Sequence, residues 1–158
     1  MKKAKLKILE QSDNVGLYSI CFNENDLTEY ELFIQKFLND ATLNRDFQKI
    51  FRAITRIMAN GALERYFRTE GKLKDNLAAL SIDSKVLRLY CLRISDQILI
   101  VGNGGVKITR TYEEDMELSG YVMDLQKFDV LLSQELARGR IKLEQNIITG
   151  IEHVTFEL

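Results

Sequence analysis

Apolar residues between Leu27 and Met58 recur every three or four positions, whereas on both sides of that stretch they alternate or run on without interruption. That change of period is the strongest constraint on the fold, because a pattern of 3.6 suits a helix and a pattern of 2 suits a strand. Two helices must therefore lie between β-forming segments, an α+β order. Residues 5 to 10 and 17 to 22 read as strands around the turn-prone Ser12-Asp13-Asn14. Asn25 or Asp26 caps a first helix carrying Leu27, Tyr30, Ile34, Phe37 and Leu38, which ends near Asn39-Asp40. A second helix opens at about Asn44 and closes at Asn60-Gly61.

The second helix has two faces of different chemistry. Phe47, Ile50, Phe51, Ile54, Ile57 and Met58 make an apolar stripe, and Arg45, Lys49, Arg52 and Arg56 a basic one opposite. A solvated helix tends to place Glu four residues before Lys or Arg, but only Asp46 and Gln48 interrupt these cations. The stripe therefore calls for an anionic partner: RNA phosphate, the acidic end of another protein, or the acidic end of this chain.

The charge of the whole chain conceals this. The formal net charge is −1, yet residues 45–110 hold thirteen Lys and Arg against six Asp and Glu, whereas residues 111–158 hold four against ten. Segregation of this kind produces a positive field that attracts polyanions. With 158 residues and 46% hydrophobic content the chain can bury the core of a single domain, residues 1–158. No apolar run approaches a membrane span of about 20 residues, so the expected setting is cytoplasmic with no membrane contact. Cys21 and Cys91 sit in apolar runs and read as buried free thiols.

From Lys85 onward the pattern is β. Val86–Ile94 and Gln97–Val101 should pair as a hairpin through Ser95-Asp96. The segment Gly102-Asn103-Gly104-Gly105-Val106-Lys107-Ile108-Thr109 fails the phosphate-loop pattern, since Val106 separates Gly105 from Lys107 and Ile108 follows the lysine. It is either a hairpin turn at Asn103-Gly104 or one strand kinked and bulged at its glycines. Parity places Leu87, Leu89 and Cys91 on one face. Arg88, Tyr90, Lys107 and Thr109 then project from the other, an open face suited to a phosphate and an unstacked base.

Two helices, then Leu87-Arg88-Leu89-Tyr90, then Ile98-Leu99-Ile100-Val101, then Gly104-Gly105-Val106-Lys107-Ile108-Thr109, resembles the RelE/HigB-like superfamily of toxin-antitoxin ribonucleases. Of that family's H-G-F-V-K-K-T wording, Gly104, Val106, Lys107 and Thr109 match, while Asn103, Gly105 and Ile108 depart from it. The resemblance spans about residues 17–115 in order of elements. It implies a small antiparallel sheet packed on the two helices, and a toxin that cleaves mRNA, often on the ribosome, under the control of a cognate antitoxin. By position it assigns catalysis to Arg88, Lys107 and Tyr112. It adds Lys72, Lys74 and Arg110 to the RNA contacts Arg45, Lys49, Arg52, Arg56 and Tyr90. The chemistry needs a base for the ribose 2′-hydroxyl, charge stabilisation on the phosphorane and an acid for the leaving oxygen. Arg88 suits the second, Lys107 the first or second, and Tyr112 the third, with no metal or cofactor.

The departures from the motif, together with His153 as the only histidine, sustain a second reading: a catalytically silent module of the same kind that docks an acidic protein. His153 itself reads as a surface or strand residue. Beyond the family's length, about residues 119–158 should add a helix preceded by Gly120 and closed by Arg138-Gly139-Arg140, then a hairpin of 141–144 with 151–156 across Thr149-Gly150. This acidic extension is expected either to fold over the basic face or to mediate a homodimer.

Overall fold

In a computed structural model of the protein, residues 2–69, 75–107 and 115–158 are described. The chain opens with a β-hairpin, β1 (Lys3–Gln11) and β2 (Gly16–Phe22), bulged between Ile8 and Glu10. Its turn is organised by Ser12, whose Oγ accepts from the amides of Asn14 and Val15 and donates to the Met58 carbonyl at 2.6 Å. Helix α1 (Glu29–Phe37) starts later than Asn25 or Asp26. Thr28 is the cap, accepting from the Glu31 amide while the Glu31 carboxylate accepts from the Thr28 amide. This reciprocal box satisfies two helix-end donors at once, and Asn25 serves the preceding turn by accepting from the Leu27 amide. Helix α2 (Asn44–Asn60) has the ends expected from its sequence, with Gly61 beyond it at φ 109°.

Four strands follow, β3 (Phe67–Thr69), β4 (Leu77–Leu80), β5 (Leu87–Arg93) and β6 (Ile98–Val106), and then helix α3 (Met116–Arg138). The chain ends in β7 (Lys142–Glu144), β8 (Ile147–Thr149) and β9 (Phe156–Glu157). The large sheet runs β3-β4-β5-β6-β2-β1-β9. Its neighbours are antiparallel except β2 and β6, which pair in parallel from Gly16 opposite Ile98 to Ser19 opposite Val101.

The small antiparallel sheet on two helices is therefore not what forms: among the described residues the sheet is mixed, seven-stranded and covered on both faces. On one side α1 and α2 place Phe33, Phe47, Ile50 and Ile57 against Leu87, Leu89, Cys91, Leu99 and Val101. On the other, α3 places Val122, Leu125, Phe128 and Leu132 against Tyr18, Ile20, Tyr90, Leu92, Ile98 and Ile100. The reason lies in β5 and β6. Both faces of these central strands carry large apolar side chains, which one helical layer cannot cover.

The glycines fall inside β6 and not in a turn. A Cβ on Gly104 would lie 1.9 Å from the Arg88 carbonyl oxygen, so only glycine lets the strand pass β5 there. The partner strand is irregular at the same level, between Leu89 and Cys91. The C-terminal hairpin also differs from expectation. It turns at Gln145, φ 55°, and pairs β7 with β8, while β9 joins the large sheet beside β1.

Candidate functional site

Helix α2 positions its cations by simple geometry. With 3.6 residues per turn, offsets of 4, 3 and 4 hold Arg45, Lys49, Arg52 and Arg56 on one side over about 16 Å of axis, while Phe47, Ile50, Ile54 and Ile57 fix the other side to the sheet. Arg45, Arg52 and Arg56 are exposed and Lys49 is half-buried. Among the described residues no carboxylate forms an ion pair with Arg45, Arg52 or Arg56.

The chain leaving β4 passes over this face. Residues Ser81, Ile82 and Asp83 stand opposite Lys49, Arg52, Ala53 and Arg56 across a cleft of about 220 Å³. Lys49 spans its mouth, donating from Nζ to the Asp83 carbonyl, with the Asp83 carboxylate 3.9 Å away and turned fully to solvent. Past the end of α2, Arg65 extends the positive surface. Its guanidinium lies 5.1 Å from the Tyr66 ring centre and, with Asn60, donates to the phenol oxygen. Those donors, Arg65 foremost, pull the Tyr66 phenol below its usual pKa.

The supposed open face of the sheet is not open. Arg88 is 8% exposed and donates to the carbonyls of Ser84 and Leu87, and Tyr90, 1% exposed, belongs to the core beneath α3. The alternation along β5 is as expected, but α3 covers the side on which Arg88 and Tyr90 lie. Lys107 is half-buried at the end of β6, its amide bonded to the Val86 carbonyl at 2.6 Å. Lys72, Lys74, Thr109, Arg110 and Tyr112 lie outside the described residues. The structure thus gathers Lys49, Arg52 and Arg56 at one cleft with Arg45 farther along the same face, and does not join them to Arg88 or Tyr90. His153 is exposed beside Glu152, at 3.6 Å.

A second cluster, absent from the sequence reading, lies where β2 and β6 part beyond Ser19 and Val101. Lys36 of α1 donates to the Gly104 carbonyl at 2.7 Å and the Tyr121 oxygen at 2.9 Å, and pairs with Glu117 at 3.4 Å. Tyr121 donates to the same Glu117 oxygen at 2.8 Å. Deeper in, Asn103 donates to Glu29 at 3.4 Å. Burial lowers the Lys36 pKa, against the pull of Glu117, and raises those of Glu29 and Tyr121. Perturbed groups often mark active sites. Here the adjoining cavity is only about 10 Å³, room for one water and no substrate. The cluster is therefore a polar latch tying α1 to α3. The spacings Glu29/Lys36 and Glu117/Tyr121, each on one helix face, were the available signal, but nothing local told that the two helices meet.

Among the described residues no group of His, Cys, Asp and Glu is arranged to hold a metal, and no helix is long and apolar enough to cross a membrane. Cys21 and Cys91 are buried free thiols. Comparison with protein-family models, with curated proteins and with solved structures finds no match.

Proposed function

We propose that this protein binds single-stranded RNA along the exposed basic face of α2, and that it does so as the toxin component of a toxin-antitoxin system acting on mRNA. One observation carries the binding: three arginines of one helix face solvent without a carboxylate partner among the described residues. Guanidinium groups in this state offer forked donors to phosphate oxygens, and the phosphates release counterions on binding. The setting comes from the motif resemblance of residues 87–109.

Affinity for a short RNA, measured by fluorescence anisotropy, should fall with salt, with a log–log slope of about −0.7 per phosphate contacted. Replacing Arg52 and Arg56 by Gln should flatten that slope by about 1.4; an unchanged slope would remove α2 from the interface. Induced expression should arrest growth and create new mRNA 5′ ends, and the same double variant should abolish both.

A second reading is favoured by the burial of Arg88 and Tyr90, which withdraws two assigned site residues from solvent. In it the basic face docks an acidic protein and no RNA is cut. Expression without arrest or new 5′ ends, together with capture of an acidic partner lost on substitution of Arg52 and Arg56, selects this reading.

A further inference from the structure

The cleft between α2 and Ser81–Asp83 differs from the rest of the basic face. Along an open helix side a cation meets phosphate from one direction only, whereas here Lys49, Arg52 and Arg56 face a wall of backbone and hydroxyl contributed by another segment. Ala53 and Ile82 supply the apolar part of the lining. At about 220 Å³ the space lies below the roughly 300 Å³ at which sites for drug-sized ligands begin. A compact anion fits it and a whole nucleotide does not.

Charge narrows the choice. Lys49 is already engaged at the cleft mouth by the Asp83 carbonyl and, more weakly, its carboxylate. Arg52 and Arg56 have no carboxylate partner among the described residues, so the cleft presents about two uncompensated positive charges. A phosphodiester carries a single negative charge, whereas a phosphomonoester carries about −1.5 to −2 at neutral pH and three strong acceptor oxygens. Two guanidinium forks and the exposed Ser81 hydroxyl are the donors such a group requires.

We infer that this cleft is a phosphomonoester site, taking the terminal phosphate of an RNA end while the remaining cations of α2 hold the internucleotide phosphates. The assignment rests on the reading of α2 as an RNA-binding face. The same chemistry would accept a free phosphorylated small molecule, and the test separates the two sources.

The full chain is titrated into one short single-stranded RNA prepared with a 5′-phosphate, with a 3′-phosphate, or with hydroxyls at both ends, and separately with inorganic phosphate by calorimetry. A terminal phosphate should tighten binding roughly tenfold, as expected for added hydrogen bonds to a charged group. That preference should vanish in Arg52→Gln/Arg56→Gln. It should persist in Arg45→Gln, which weakens all three RNAs alike. All the substituted residues are exposed, and matched thermal unfolding confirms that the variants fold. Inorganic phosphate bound by the wild type and not by the double variant, without preference among RNA ends, keeps the phosphomonoester site and assigns it to a free ligand. Equal affinity for all three RNAs together with no phosphate binding overturns the cleft assignment, while RNA binding that still depends on Arg45, Arg52 and Arg56 would leave the polyanion reading standing. Absence of both RNA and phosphate binding removes both.

Discussion

Glu29 shows how one half-buried carboxyl sets a pH dependence. Burial holds its carboxyl above the usual value, outweighing the hydrogen bond from Asn103, so the folded chain holds this proton more tightly than the unfolded chain does. Its contribution to stability is complete below the unfolded pKa and is lost as pH rises through the folded one. Glu29→Gln keeps a side-chain oxygen for Asn103 and removes the charge. Urea midpoints of the variant should therefore match the wild type in acid and exceed it near neutrality; equal midpoints at both would show that Glu29 is solvated. Gly104 is constrained sterically. Its replacement by Ala places a Cβ 1.9 Å from the Arg88 carbonyl, and the resulting shift of β5 against β6 should cost about 1–3 kcal/mol in chemical denaturation.

At the scale of elements, α1 and α3 belong to opposite layers yet touch through Lys36, Glu117 and Tyr121. Tyr121→Phe removes the hydroxyl that both accepts from Lys36 and donates to Glu117. Water can solvate the partly exposed partners, so the expected loss is about 1 kcal/mol in the unfolding free energy. Hydrogen exchange should quicken first in α1. The helices themselves were legible: the α2 stripe gave its limits and its buried face, because 3.6-residue periodicity is a local property. The cap of α1 at Thr28 was missed, although Thr28 and Glu31 have the capping-box spacing, since Asn25 and Asp26 compete for the same role and only the following chain direction decides between them.

For the molecule as a whole, the acidic end leaves the cations of α2 uncovered and lies instead over the side of the sheet to which Arg88 and Tyr90 belong. Helix α3 packs on the sheet face opposite α2, β9 pairs with β1, and β8 is held through the Ile148 amide donating to the Tyr18 hydroxyl at 2.8 Å. Truncation after Ser119 should thus leave RNA access unimproved. It would strip cover from Tyr90, Leu92, Ile98 and Ile100, whose burial is worth about 1.5–3 kcal/mol per large side chain. That loss is comparable with the whole stability of a domain. The truncated chain should lose its cooperative thermal transition in circular dichroism; a cooperative melt with tighter RNA binding would restore the covering arrangement.

By itself the sequence determined that three helices form and where α2 begins and ends, though not the starts of α1 or of α3, which opens at Met116 ahead of Gly120. It also determined the alternation along β5, the glycine-bearing strand as one of two alternatives, and the cations of α2. Each of these follows from neighbours a few residues apart. Only the tertiary structure decided which side of an alternating strand meets water. Arg88 and Tyr90 have the parity of surface residues, and they are buried because α3, arriving some 30 residues later in the chain, covers that side. The parallel pairing of β2 with β6 and the cleft over Arg52 and Arg56 have the same origin. They join segments distant in sequence, and no local period records which distant segment a face will meet.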